Sequence, residues 1–371
     1  MTLTEDHQEW RRLIEAAELT RFTAEALRAA GARHHDAAVT AEVLVAADLG
    51  GVESHGVARL RRYVEGLRNG DINRFGVPEI VTDKGSVSVI DAHNALGQPA
   101  LCMAVDLAVE RASQFGTSAV MVRRSNHMGI AGWFAERAAR AGMFAMISTN
   151  AVPQVAPMGT SEPMFGTNPL CYAVPTTEGT LCFDGASSTV SRGKLEQLDR
   201  LGEPMQSGWA LGPDGKPALE AADTVTGLIN RKGYALLPLG GGKRDHGGHK
   251  GSALGLFAEL LCGPLAGAQW SRHTYQGGEA GLGHFVICLS LDALGDADTI
   301  RAGVEQLSRE VRGSAPVDPE APVRVPGDRR RLVTDMRLAH GVPVLESVLT
   351  DLDGIADFVG IDPVSALTYD A

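Results

Sequence analysis

From about Ile80 onward this chain alternates short strand-like runs with helical stretches, and that alternation limits the fold more than any other feature. Val87–Ile90 and Ala119–Val122 are short β-prone runs, Phe285–Leu291 is a third, and 97–113 and 130–141 carry apolar residues at helical spacing. The pattern predicts an α/β core. Residues 145–192 hold further strand-like runs between Gly, Pro, Asn and Ser turns, and a helix is expected from Gly251 to Leu265. Ahead of this core, 8–32 and 35–49 read as amphipathic helices and Ser54–Leu67 as a third, ending before Asn69-Gly70. The expected organisation is a helical N-terminal region (1–78), an α/β core with cofactor-binding loops (79–315) and a C-terminal segment (316–371). That last segment starts with a proline-spaced crossing and packs back on the N-terminal region.

Composition narrows the function. In 371 residues, 34 basic and 45 acidic side chains leave a formal charge of −11, a surface that repels nucleic acid and anionic membrane. The acidic opening is unlike a signal peptide, and the apolar stretch Ala253–Ala268 is broken by Glu259 and too short to span a bilayer. Five scattered cysteines without a C-x-x-C read as buried thiols of a reducing cytoplasm. Forty-four glycines against 5% aromatics point to tight turns and close backbone approach to a ligand.

Several motifs carry chemistry. In Ser54-His55-Gly56-Val57-Ala58-Arg59, a helix would place His55 and Arg59 on one face, one turn apart. That spacing suits a small 2-hydroxy acid, with imidazole as acid/base and guanidinium as carboxylate clamp. The bland alternative is a Ser-capped helix facing water. No G-x-G-x-x-G or P-loop signature occurs, so a bound dinucleotide would not use a Rossmann fingerprint.

After Ala119–Val122, the run from Arg124 to Gly132 is either an anion site at a helix start, capped by Ser125 or Asn126 and reinforced by Arg124, or a plain capped helix. His127 within it is a second acid/base candidate. Gly166-Thr167-Asn168-Pro169 reads as a turn, and the stretch from Asp184 to Lys194 as a polar loop. Leu239–Gly251 gathers six glycines around His249-Lys250 as a nest for an anion or cofactor. Minority readings of the same loop are zinc held by His246 and His249 in a hydrolase, and a Schiff-base Lys250. A non-catalytic small-acid binder is a further alternative.

Taken in order, S-H-G-V-x-R, S-N-H-x-G-x-A-G, G-T-N-P, D-x-A-S-S, R-G-K, G-G-H-K-G and the late P-G-D-R resemble the type 2 malate/L-lactate dehydrogenase family, from about residue 8 to the tail. That family also includes ureidoglycolate, diketogulonate and sulfolactate dehydrogenases and cyclic-imine reductases. The resemblance implies NAD- or NADP-dependent hydride transfer in a cytoplasmic homodimer. The implied fold is non-Rossmann α/β, with a helical N-terminal region and a mixed-sheet cofactor domain.

By position, the resemblance makes Ser54 and His55 relay and proton donor/acceptor, Arg59 the carboxylate clamp, and Thr167 and Lys194 substrate-facing residues. His127, Met128, Gly129, Ile130, Ala131, Asp184, Gly185, Ala186, His249, Lys250, Pro326, Gly327, Asp328, Arg329 and Arg330 would line the cofactor, with no metal. Ser187, Gly159-Thr160 and Gly281 depart from the family's usual wording. Lys194 follows Arg192-Gly193 as in hydroxy-acid members, whereas Gly248–Ala253 is closer to the imine reductases. A small carboxylate is the expected substrate, with a cyclic imine-2-carboxylate as the alternative.

Overall fold

A computed structural model describes residues 11–366 of the chain. It begins β1 (Arg11–Ile14), α1 (Ala16–Ala29), α2 (His34–Leu49), α3 (Leu60–Asn69), β2 (Glu79–Asp83), β3 (Val87–Asp91), α4 (Gly97–Phe115) and β4 (Thr117–Ser125). There follow α5 (Ala131–Arg140), β5 (Met143–Thr149), β6 (Leu170–Pro175), β7 (Thr180–Gly185), α6 (Arg192–Leu201), β8 (Ala210–Leu211), α7 (Ala221–Ile229) and β9 (Ala235–Leu236). The chain continues through α8 (Gly248–Cys262), β10 (Leu282–Ser290), α9 (Leu291–Leu294), α10 (Ala297–Arg312), α11 (Asp328–His340), β11 (Val342–Leu345) and α12 (Glu346–Val359).

Two compact units result: the chain up to Phe75 together with the part from Gly327 onward, and Gly76–Pro326. The proline-spaced crossing from Pro316 to Pro326 falls within the second unit. In the first unit β1 pairs antiparallel with β11, with Ile14 opposite Val342, and Arg61 bridges to Asp351 at 2.5 Å. The helix expected over 8–32 is corrected here: residues 11–14 are a strand, because the backbone of 342–345 supplies their hydrogen-bond partners. Residues 8–10 lie outside the described part.

The second unit is built on a seven-stranded mixed sheet in the order β2-β3-β4-β10-β5-β6-β7, in which only β3 and β4 run parallel. β10 sits at its centre and is buried almost throughout, since α4 and α8 both pack on it. The expected strand 285–291 therefore starts three residues earlier. The expected helix 251–265 is displaced to 248–262: Gly247 is left-handed as its N-cap, and the chain breaks at Gly263-Pro264. A satellite core of Leu195, Leu198, Met205, Val225, Leu228 and Leu236 holds α6 and α7 together. All five cysteines are free and buried. Among the described residues no helix is long and apolar enough to cross a membrane.

Candidate active site

The Ser54–Arg59 segment departs from the expected helix. It forms two successive 3-10 turns, Glu53–His55 and Val57–Arg59, separated by an extended Gly56, and α3 begins only at Leu60. The cause lies outside the segment. The buried carboxyl of Asp48, near the end of α2, accepts the Val57 N–H at 2.8 Å, and a Cβ on Gly56 would overlap that carboxyl. The loop is wrapped on a side chain, so helical i,i+4 spacing no longer relates His55 to Arg59. They are instead coupled through Ser54: its Oγ lies 3.0 Å from His55 Nδ1, and its carbonyl accepts from Arg59 Nε at 2.7 Å. The C-terminal part of the same unit adds cations nearby in the fold. Arg330 lays its aliphatic stem against Gly50, while Arg329 is exposed at the start of α11, whose N-cap is a left-handed Gly327.

In the second unit, the Arg124–Gly132 turn is held differently from expectation. Ser125 and Asn126 do not cap α5. Asn126 Nδ2 donates to the Asn94 and Ala95 carbonyls at 2.9 Å, and Ser125 Oγ meets His284 Nε2 at 2.8 Å. The first turn of α5 is served instead by Asp184 at the end of β7, whose Oδ2 accepts the Gly132 N–H at 2.7 Å. Arg124 is committed to Glu279 at 2.9 Å and to Asp91 at 3.5 Å. The Gly132 N–H of this helix start is thus taken by a carboxylate of the chain itself. Burial alone would raise the Asp91 carboxyl, but the His93 N–H, Arg123 and Arg124 together hold it below the usual range.

His127 is half-buried, and its Nδ1 accepts the Gly129 N–H at 3.3 Å; Met128, Gly129, Ile130 and Ala131 after it are buried. The Thr167 carbonyl accepts from both the N–H and the Oγ of Ser187, at 2.8 and 3.0 Å. The turn containing it is anchored by Glu259, which accepts from Asn168 Nδ2 at 2.7 Å and from the Ser271 N–H at 2.9 Å. Gly185 ends β7 and Ala186 follows it into the loop. Lys194 lies in the first turn of α6, which Ser191 caps, and its Nζ donates to Gln197 at 3.1 Å. His249 and the exposed Lys250 open α8, and His249 Nδ1 is buried without a hydrogen-bond partner. His246 precedes that helix, so it does not share a helical face with His249. Among the described residues no three His, Cys, Asp or Glu side chains group as around a metal.

Sequence reasoning missed three supports: Asp48, Glu259 and His284. Each is a polar side chain inside an apolar run, and that is the signal by which they could have been found. His284 is fully buried on β10, with Thr149 Oγ1 2.8 Å from Nδ1 and Ser125 Oγ 2.8 Å from Nε2. Burial drives its pKa down to about 4, against a smaller opposing effect of the Asn126 backbone. Because the folded value lies below the unfolded one, its contribution to stability is complete above about pH 6.5 and is lost as pH falls through 4. In chemical denaturation from pH 7 to 4, wild type should lose about 3 kcal/mol relative to His284→Gln, every other titrating group being common to the two proteins. Parallel curves for the two proteins would contradict a neutral His284.

A cleft of about 900 Å³ in the second unit is lined by Gly240, Gly241, Gly242, Lys243 and His246 of the glycine-rich loop, together with Trp209 and Met158. His249 and Lys250 do not line it. Compared with known proteins, the chain matches the family model for malate/L-lactate dehydrogenase over residues 14–353. It is 36% identical over 350 residues to a malate dehydrogenase of Pyrococcus abyssi, covering 94% of this chain and 95% of that protein. It is 32% identical over 327 residues to a Delta(1)-pyrroline-2-carboxylate/Delta(1)-piperideine-2-carboxylate reductase of Pseudomonas syringae pv. tomato, covering 86% and 89%. Its structure is similar to that of malate dehydrogenase from Entamoeba histolytica, with a TM-score of 0.92, 28% identity, and coverage of 95% of this chain and 99% of that one. The chain belongs to the malate/L-lactate dehydrogenase family of oxidoreductases.

Proposed function

We propose that the protein transfers hydride between NAD or NADP and a small 2-hydroxy/2-oxo carboxylate, with His55 as the acid/base. The observation that carries this reading is the Ser54–His55–Arg59 unit, in which one serine contacts both the imidazole and the guanidinium. Ser54 at Nδ1 orients the ring, and His55 takes the hydroxyl proton in oxidation and returns it in reduction. Arg59, tied back through Nε, turns the outer end of its fork to the substrate carboxylate. Thr167 and Lys194 face the substrate.

Two observations support a dinucleotide at the glycine-rich loop: Gly240, Gly241 and Gly242 line the cleft of about 900 Å³, and His249 brings a buried nitrogen in need of a partner. Gly248 and Gly251 serve the loop itself, since a Cβ on either would overlap the carbonyl of Gly241 or Leu239. The residues proposed to hold the cofactor are His127–Ala131, Asp184–Ala186, His249-Lys250 and Pro326–Arg330. When bound, the nicotinamide supplies or accepts the hydride at substrate C2. A cytoplasmic homodimer completes the proposal. Buried free thiols support the reducing compartment, and the exposed Leu256, Phe257 and Leu260 of α8 support an interface between copies.

Purified protein tested with both cofactors against malate, lactate, sulfolactate and cyclic imine-2-carboxylates decides the substrate class. Turnover of the 2-hydroxy or 2-oxo acids is expected, and turnover of the imines alone would overturn it in favour of the reductase reading. Arg59→Ala should chiefly raise KM for the acid, losing about 1.5–3 kcal/mol as a charged hydrogen bond does. An unchanged KM would remove Arg59 as the clamp.

A further inference from the structure

The carboxyl of Asp48 lies behind the reacting loop and takes no part in the chemistry described above. It is buried, accepts the Val57 N–H at 2.8 Å, and occupies the space a side chain at Gly56 would need. Its backbone carbonyl accepts from the Gly51 N–H at 3.1 Å and from Arg337 Nη1, and Arg337 Nη2 reaches Glu53 at 2.5 Å. One end of the loop is therefore held by the carboxyl and the other by a buried guanidinium. The charged and titratable neighbours are Glu53 and Arg337, with His55 on the loop itself.

We propose that Asp48 is a positioning residue for this enzyme: its carboxyl shapes the two turns that present His55 and Arg59, with Arg337 bracing them. The proposal rests on the acid/base reading of His55. Gly56 is required by close approach rather than by conformation, since its φ of −86° is open to any residue. A displacement of the loop by about 1 Å is enough to cost on the order of 100-fold in rate. Burial keeps Asp48 a neutral acid near pH 7, a state that asparagine reproduces in shape and in its acceptor oxygen.

The test measures kcat, KM and cofactor Kd, with circular dichroism for folding, in Asp48→Asn, Asp48→Ala, Gly56→Ala, Asp48→Ala/Gly56→Ala and His55→Ala. Asp48→Asn should keep most of kcat, whereas Asp48→Ala should lose about 100-fold with cofactor Kd unchanged. Gly56→Ala should be as damaging, and the double variant no worse than Asp48→Ala, because the overlap is gone. Wild-type kcat in Gly56→Ala, or in folded Asp48→Ala, overturns the positioning role; if Asp48→Ala does not fold, Gly56→Ala still decides. Wild-type kcat in His55→Ala overturns the acid/base reading itself, so the two failures are distinguishable.

Discussion

His55→Ala is expected to lower kcat by about 10²–10⁴-fold while leaving cofactor affinity and the folded state intact. The residue is half-buried in a short 3-10 turn, and its ring contacts Ser54, so removing it opens little of the core. The rate loss should follow from the missing proton transfer. His127 is the competing candidate. Its Nδ1 accepts the Gly129 N–H, which leaves the proton of the neutral ring on Nε2. That tautomer is a hydrogen-bond donor and suits holding a ligand carbonyl better than removing a proton. His127→Ala should therefore act mainly on cofactor binding. A His55→Ala enzyme with wild-type kcat would transfer the acid/base role to His127.

The parts of this protein legible in the sequence are those set by local pattern. The α/β alternation after Ile80, the approximate extents of α4 and α5 and the end of α3 before Gly70 follow from apolar spacing and from glycine and proline punctuation. The ordered motifs led to the family. What local pattern missed was decided by partners distant in sequence. Residues 11–14 became a strand because 342–345 pair with them. Ser54–Arg59 became two turns because Asp48 and Arg337 hold the loop. The α5 start is served by Asp184, from a strand well beyond it in the chain, so Ser125 and Asn126 are released to other partners. Glu259 is visible in the sequence only as a break in an apolar run, yet it anchors the Gly166–Pro169 turn.

Wild type and Asp48→Asn should diverge steadily in stability as pH rises from 4 to 8. Burial pushes the Asp48 carboxyl up to about 8; the Val57 N–H opposes this, Glu53 adds to it, and Arg337 lowers it. Above its unfolded pKa near 4 the unfolded chain releases the proton while the folded chain retains it. The stability this group contributes is thus complete below about pH 4 and is lost as pH rises toward 8. The expected slope is about 1.4 kcal/mol per pH unit, levelling off above about pH 8. Asparagine has no proton to release, so the variant lacks this slope. His284 acts in the opposite sense at lower pH, but it is present in both proteins and cancels in their difference. Urea unfolding of the pair across that pH range measures the difference directly. A constant gap at every pH would mean that Asp48 is ionised in the folded protein, with the loop then resting on a buried carboxylate anion.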